Sequence, residues 1–226
     1  MRRFGAGTWA ALAYAVIGIG WTVIELTPQG LGFEDTDDPA VSLAYLRDHA
    51  VTYAQAGLAL FAMAVALCAV VFATHDVLMR RGPASIALRT ITAGGLFAAA
   101  CLFLFGVMRF GVHPLLSIDG LDHDWGEAAY LVVQMAGIHG VGQAAIFVSS
   151  AWAVAAALLG WRAGVVPGWL AALAALPALR LVALLGPFVT LPDGLWLVYM
   201  LAIPGTAIWF GLFGLTALRR PGEVAA

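Results

Sequence analysis

Apolar runs close to twenty residues long recur along the chain and are separated by short polar segments. A helix of about 20 apolar residues is what crosses roughly 30 Å of hydrocarbon. The runs predict six membrane-spanning helices, at about 8–28, 51–73, 89–112, 128–159, 168–188 and 194–217. We therefore expect an all-α fold in which residues 1–226 form a single integral membrane domain, a polytopic transmembrane bundle of six helices.

The composition supports this class of protein. Hydrophobic residues make up 62% of the chain and charged residues 11%, against roughly 45–50% and 25% in soluble domains. The expected partner is thus the lipid bilayer. A net charge of -2 without a basic stripe argues against a nucleic-acid partner. Lysine is absent from the sequence, which excludes Schiff-base chemistry on a lysine.

The arginines between the predicted spans indicate an orientation, because positively charged segments resist translocation across the membrane. One side of the predicted bundle collects eight of them, whereas Arg47 falls on the other side among most of the acidic residues. The sequence therefore predicts a multi-pass protein of the cell membrane with both termini in the cytoplasm. The eight are Arg2, Arg3, Arg80, Arg81, Arg89, Arg162, Arg219 and Arg220.

A short surface helix is expected on the outer side. Asp38-Pro39 pairs a helix-capping residue with a proline at the first helical position. The predicted helix runs from Pro39 to about His49 and is apolar enough to lie on the membrane or to cap the bundle. Arg81-Gly82-Pro83 and Leu191-Pro192-Asp193-Gly194 are turn signals between spans.

Four ionisable residues fall inside the predicted spans, namely Glu25, Arg109, His139 and Arg180. Charge in hydrocarbon is costly, so each of them is a functional hypothesis. Counting from the predicted span ends places all four in the outer half of the membrane. They are the candidate catalytic residues, with His139 as the acid-base group. A buried ion pair of Glu25 with either arginine, serving only to fix the helices, remains the alternative.

Helical spacing predicts which other side chains share this site. Tyr14, Gly18, Trp21 and Glu25 form one stripe, because residues three, four, seven and eleven apart lie on one helix face. Similar pairs are Arg109 with His113 and His139 with Gln143. The candidate substrate-binding residues are Trp21, Gln55, Phe110, His113, Gln143, Trp196 and Tyr199.

Two prolines lie inside predicted spans. Pro177 precedes Arg180 by three residues, and Pro204 is expected to interrupt the last span. Each removes a backbone donor and leaves a carbonyl of the preceding turn without its helical partner. Broken helices near mid-membrane are a common feature of transporter binding sites, although a simple packing kink is the alternative.

No metal and no cofactor are expected. The acidic segment from His113 to Glu127 matches neither an EF-hand loop nor a zinc pattern and is interpreted as a solvated loop. Phosphate-loop, dinucleotide-binding and nucleophile-elbow motifs are absent from the sequence. Cys68 and Cys101 are expected at different depths, so no disulfide is predicted.

Two blocks of the sequence carry a resemblance. The run from Asp38 through Val70, and later Gly137-Ile138-His139-Gly140 with Leu159 through Leu170, resemble a group of uncharacterised six-helix bacterial membrane proteins. The resemblance implies a six-helix fold and no particular activity. In size and in its aromatic-rich helices the chain is also similar to small membrane-bound terpene cyclases, by analogy alone.

Three functional hypotheses follow. The first is a membrane-embedded acid-base enzyme, of isomerase or cyclase type, acting on a lipophilic substrate. The second is a binding or transport protein for a small anion or amphiphile, because two arginines against one glutamate leave the spans with net positive charge. The third is a structural membrane subunit. A homo-oligomer is compatible with each of them.

Overall fold

The computed structural model describes residues 4–26, 39–81, 85–116, 128, 132, 137, 140–183 and 193–218. For residues 25–26, 39–43, 112–116, 182–183 and 193–200 it describes the backbone alone. Within these ranges all regular structure is helical and no strand occurs. The expected all-α class is thereby confirmed.

Eight α-helices are described. Four stretches are long and apolar enough to cross a membrane, Ala6–Ile24, Ala50–Met79, Ile86–Gly111 and Gly140–Arg162, and Gly168–Leu181 and Leu201–Thr216 are shorter apolar helical stretches. This set is compatible with an integral membrane protein. The helices are α1 Ala6–Leu26, α2 Pro39–Asp48, α3 Ala50–Met79, α4 Ile86–Leu116, α5 Gln143–Arg162, α6 Gly168–Ala172, α7 Ala175–Ala183 and α8 Asp193–Thr216.

The end of α5 shows how local sequence sets a helix boundary. Gly164 adopts φ 68°, a left-handed conformation that glycine takes without steric cost. Its N–H donates to the Trp161 carbonyl (3.0 Å), and the Val165 N–H donates to the Gly160 carbonyl (2.8 Å). These two bonds form a Schellman motif, which satisfies the last carbonyls of α5. Pro167 then caps the start of α6.

The two prolines inside predicted spans have different effects on their helices. Upstream of Pro177 the helix breaks at Leu173 and Ala174, which separates α6 from α7. Proline offers no N–H to the Leu173 carbonyl, which accepts instead from the Leu176 N–H at 3.0 Å. Pro204, in contrast, lies inside a continuous α8. The expectation that Pro204 interrupts the last span is therefore wrong, because the helix continues on both sides of it.

Close backbone contacts join α3 and α4 into an antiparallel pair. A methyl group on Gly57 would lie 2.8 Å from the Phe110 backbone nitrogen, and one on Gly106 would lie 2.7 Å from the Gly57 carbonyl oxygen. Near the other end, the His75 Nδ1 and the Thr92 hydroxyl are 2.9 Å apart. Glycines let the two backbones approach to distances that no other residue permits, which is the usual way that helices pack in membranes.

Glycines also allow α1 to pack closely against both α3 and α8. On the α8 side a methyl group on Gly211 would lie 3.1 Å from the Ala15 side chain, and one on Gly214 would overlap the Ala11 side chain. On the α3 side a methyl group on Gly7 would overlap Ala73. Both contacts run antiparallel, so α1 lies between two helices of the opposite direction.

We expect Gly57→Ala and Gly106→Ala to destabilise the protein by about 1–3 kcal/mol each, because the added methyl group overpacks the contact between the two backbones. Gly94→Ala and Gly111→Ala are matched controls in α4, since a methyl group at either position meets nothing within 4 Å. Alanine favours a helix over glycine by up to about 1 kcal/mol, so the controls should be neutral or stabilising. Thermal unfolding in detergent measures both, and equal effects in the two pairs would contradict this packing.

Candidate functional site

An interior cavity of about 30 Å³ lies among the long helices. Side chains from α1, α3, α4, α5, α7 and α8 line it, so all six predicted spans contribute to its wall. A cavity of this size has room for about two water molecules. Most of the wall is apolar, and its polar members are Tyr14, Trp21, Thr22, Ser149, Arg180 and Thr206.

Arg180 provides the charge at this cavity. It lies on α7, is only 6% exposed, and follows the break at Leu173 and Ala174 by one to two turns. Leu176 packs against Gly205 of α8, where a methyl group would lie 3.2 Å from the leucine side chain. The site therefore depends on the break and on the packing of α7 against α8.

Trp209 satisfies the backbone at the break. The Ala174 N–H donates to the Ala171 carbonyl (3.2 Å), one residue short of the helical partner Leu170. The Leu170 carbonyl accepts instead from the indole N–H of Trp209 at 3.1 Å. Both residues are fully buried, and a buried carbonyl without a partner would be costly. This bond ties α6 to α8 beside the arginine-bearing helix.

One face of α1 forms a wall of the cavity. Tyr14, Gly18 and Trp21, three members of the stripe expected from the sequence, all line it. The Tyr14 ring packs on Phe210 with ring centroids 4.3 Å apart. The fourth member, Glu25, lies in α1, and its side chain is outside the described part of the structure.

Three hydroxyl groups at the cavity donate their protons within their own helices. The Thr22 hydroxyl donates to the Gly18 carbonyl at 2.8 Å, and the Thr206 hydroxyl donates to the Ala202 carbonyl at 2.7 Å. The Ser149 hydroxyl donates to the Ile146 carbonyl at 3.2 Å. A carbonyl can only accept, so each hydroxyl proton is committed. The oxygen lone pairs remain available to a ligand.

Arg109 occupies a different environment. It is 3% exposed, and its guanidinium carbon lies 4.8 Å from the Tyr53 ring centroid and 4.9 Å from that of Phe105. These are cation–π contacts, worth up to about 2 kcal/mol when desolvated. Phe105 lines the cavity and Arg109 is not among the lining residues. The structure therefore brings Arg180, but not Arg109, to the cavity wall.

The remaining predicted site residues are placed as follows. Gln55 and Phe110 are exposed on the surface of α3 and α4, and Gln143 is half-buried at the start of α5; none of the three lines the cavity. His139 lies outside the described residues. His113, Trp196 and Tyr199 lie in helices whose backbone alone is described at these positions. The roles assigned to all of these residues stay predictions.

Sequence reasoning missed Thr22, Ser149 and Thr206 as lining residues. All three are hydroxyl residues inside apolar runs, and a comparison of their predicted depths with those of the charged residues could have found them. Gly142 belongs to a π-helical turn, residues 140–142, that precedes α5. A methyl group there would lie 3.1 Å from the Phe105 ring, and nothing in the sequence signals this turn. Turns of this kind are frequent at functional sites.

The metal-ligating residues do not converge in the described ranges, where no group of three or more His, Cys, Asp or Glu side chains comes together. Cys68 and Cys101 are both free thiols. Most of the acidic segment between His113 and Glu127 lies outside the described residues.

Comparison with known proteins adds no relative. No protein-family model, no curated protein and no solved structure matches this chain. The resemblance to a six-helix bacterial membrane family thus stays a prediction, and any functional argument has to come from the site itself.

The Trp209 hydrogen bond can be tested against a matched tryptophan. Trp209→Phe leaves the Leu170 carbonyl without its donor, and side-chain hydrogen bonds in membrane proteins are worth about 0.6 kcal/mol on average and up to about 1.7. Trp152→Phe is the control, since Trp152 is also buried and its indole N–H has no acceptor among the described residues. Trp209→Phe should lower the unfolding free energy by about 0.6–1.7 kcal/mol more than Trp152→Phe does. Equal losses would show that the bond contributes nothing.

Proposed function

We propose that the chain is a six-helix integral membrane protein of the cell membrane with both termini in the cytoplasm. The register of the contacts supports alternating directions. Gly95 packs against Trp152 and Gly142 against Phe105, so α4 and α5 are antiparallel. The pairs α1 with α3 and α3 with α4 are antiparallel as well. The stretch from α6 to α7 is antiparallel to α8, because Leu170 contacts Trp209 and Leu176 contacts Gly205. An even number of alternating spans returns the chain to its starting side.

This topology is tested by cysteine labelling. Cys68 and Cys101 are changed to alanine, and Asp48→Cys or Arg81→Cys is added; both positions are exposed, at opposite ends of α3. In spheroplasts a membrane-impermeant maleimide should label Asp48→Cys at once and Arg81→Cys only after the membrane is permeabilised. The reverse pattern would invert the orientation. Equal labelling of both without permeabilisation would contradict α3 as a span.

We further propose that the protein binds or transports a small anion, or the anionic head of an amphiphile, at the interior cavity. The observation that carries this proposal is Arg180, a buried guanidinium that lines the cavity. An arginine remains charged at any physiological pH and offers five N–H donors. Away from their ends the predicted spans hold two arginines and one glutamate, so they keep a net positive charge even when Glu25 is ionised.

The size of the cavity favours a small ligand. Pockets that enclose drug-sized molecules measure about 300–1,000 Å³, whereas this cavity measures about 30 Å³. A free ion or a headgroup of a few atoms is on this scale, and an isoprenoid chain is not. The acid-base enzyme hypothesis depends on Glu25 and His139, whose side chains lie outside the described part, and it stays a prediction.

The broken helix next to Arg180 agrees with a binding or transport role. Transporters commonly form substrate sites near mid-membrane from discontinuous helices. Irregular backbone at membrane depth is tolerated where it is buried or lines a cavity. Here the break at Leu173 and Ala174 lies one to two turns before the arginine and is covered by α8 through Trp209.

We expect Arg180→Met to weaken anion binding at least tenfold, because it removes the charge and the donors from the cavity. Calorimetric titration of the purified protein with chloride, nitrate, bicarbonate and phosphate at fixed ionic strength measures the affinity. Arg162→Met is the control, since Arg162 is exposed at the end of α5.

Failure of the parent protein to bind any of the four anions would overturn the proposal and favour a structural subunit. Unchanged affinity in Arg180→Met would do the same. If Arg180→Met does not fold, Arg180→Lys replaces it. Lysine keeps the charge but loses the planar guanidinium fork, so the affinity should be intermediate.

A further inference from the structure

The hydrogen-bonding groups at the cavity specify more about the ligand than its charge. The three hydroxyls of Thr22, Ser149 and Thr206 have committed their protons to helix carbonyls. With these bonds kept, they offer oxygen lone pairs and no proton towards the cavity. A bare anion beside these oxygens would meet lone pairs, which repel it, rather than donors.

Donors are supplied from other positions on the wall. Arg180 carries guanidinium N–H groups that can only donate. The phenol hydroxyl of Tyr14, on the α1 wall, can both donate and accept. The cavity wall thus carries two kinds of donor together with three hydroxyl oxygens whose protons are committed.

We infer that the ligand is an oxyanion that carries its own hydroxyl group, such as bicarbonate or a monoprotonated phosphate. Its oxygens would accept from Arg180 and Tyr14, while its O–H would donate to one of the hydroxyl oxygens. Halides and nitrate can accept but cannot donate, and the arginine charge disfavours cations. This inference rests on the proposed function, because it names the class of anion that the same cavity takes.

Bicarbonate and nitrate form a matched pair of probes, since both are planar, carry one negative charge and have three oxygens around a central atom. They differ chiefly in the one O–H donor. We expect the dissociation constant for bicarbonate to be at least about tenfold lower than that for nitrate, which corresponds to about 1.4 kcal/mol. The measurement is calorimetric titration of the intact protein in nanodiscs at pH 8 and fixed ionic strength.

The acceptor oxygens are tested by Thr22→Val and Thr206→Val, which keep the shape of the side chain and remove the oxygen. Each should reduce the preference for bicarbonate to about threefold or less. Thr216→Val is the control, because its hydroxyl makes the same kind of bond to the Leu212 carbonyl (2.7 Å) on α8 and does not line the cavity. Should Thr206→Val fail to fold, Thr206→Ser retains the oxygen and should retain the preference.

The outcomes separate the two proposals. Binding of neither ion defeats anion binding itself, whereas equal binding of both leaves anion binding intact and overturns the inference about the ligand's hydroxyl. Full preference in both valine variants would also overturn it. Displacement of bicarbonate by monododecyl phosphate at about pH 6.5, where part of the phosphate monoester keeps its O–H, would identify an amphiphile headgroup as the source of this chemistry, and failure to displace it would identify a free ion.

Discussion

The requirement that buried backbone groups find partners without help from water shapes this molecule. A lipid-embedded segment can neither leave a carbonyl bare nor let solvent satisfy it, so helices are nearly obligatory. Pro177 removes a backbone donor from this helix, and other groups donate to the carbonyls of the preceding turn. The Leu176 N–H donates to the Leu173 carbonyl, and the Trp209 indole N–H donates to the Leu170 carbonyl. The placement of Arg180 follows from these hydrogen bonds, because α7 begins directly after the turn that they satisfy.

The cavity stands out against otherwise tight helix packing. Along α1, α3, α4 and α8, glycine and alanine bring the backbones so close that an added methyl group would collide with the neighbouring helix. Without a hydrophobic driving force between helices, this close packing is a main source of cohesion in lipid. The cavity lies beside Arg180, where hydroxyl residues and aromatic rings share the wall with small residues. Because a cavity costs packing energy, we expect that it is retained in order to hold a ligand.

The sequence predicted the parts of this structure that depend on periodicity. Apolar runs located the long helices, the Asp38-Pro39 signal preceded a helix that spans Pro39–Asp48, and the Tyr14, Gly18 and Trp21 spacing gave a shared helix face. Rotation of a helix about its axis is harder to predict, because apolar side chains surround these helices on all sides. The apolar pattern therefore does not show that Gln55 and Phe110 are exposed, although their depth along the helices resembles that of Arg109. The different effects of Pro177 and Pro204 likewise depend on tertiary contacts that no local pattern contains.

Arg109 and Arg180 show why a buried charge alone does not define a site. Both are almost fully buried, and the sequence treated them alike. Two aromatic faces, Tyr53 and Phe105, flank Arg109 and stabilise its charge. Arg180 also lines a cavity whose other polar residues are Tyr14, Trp21, Thr22, Ser149 and Thr206. Both guanidinium groups have interactions within the protein, and the position on the cavity wall, more than charge or depth, is what supports the proposed binding role of Arg180.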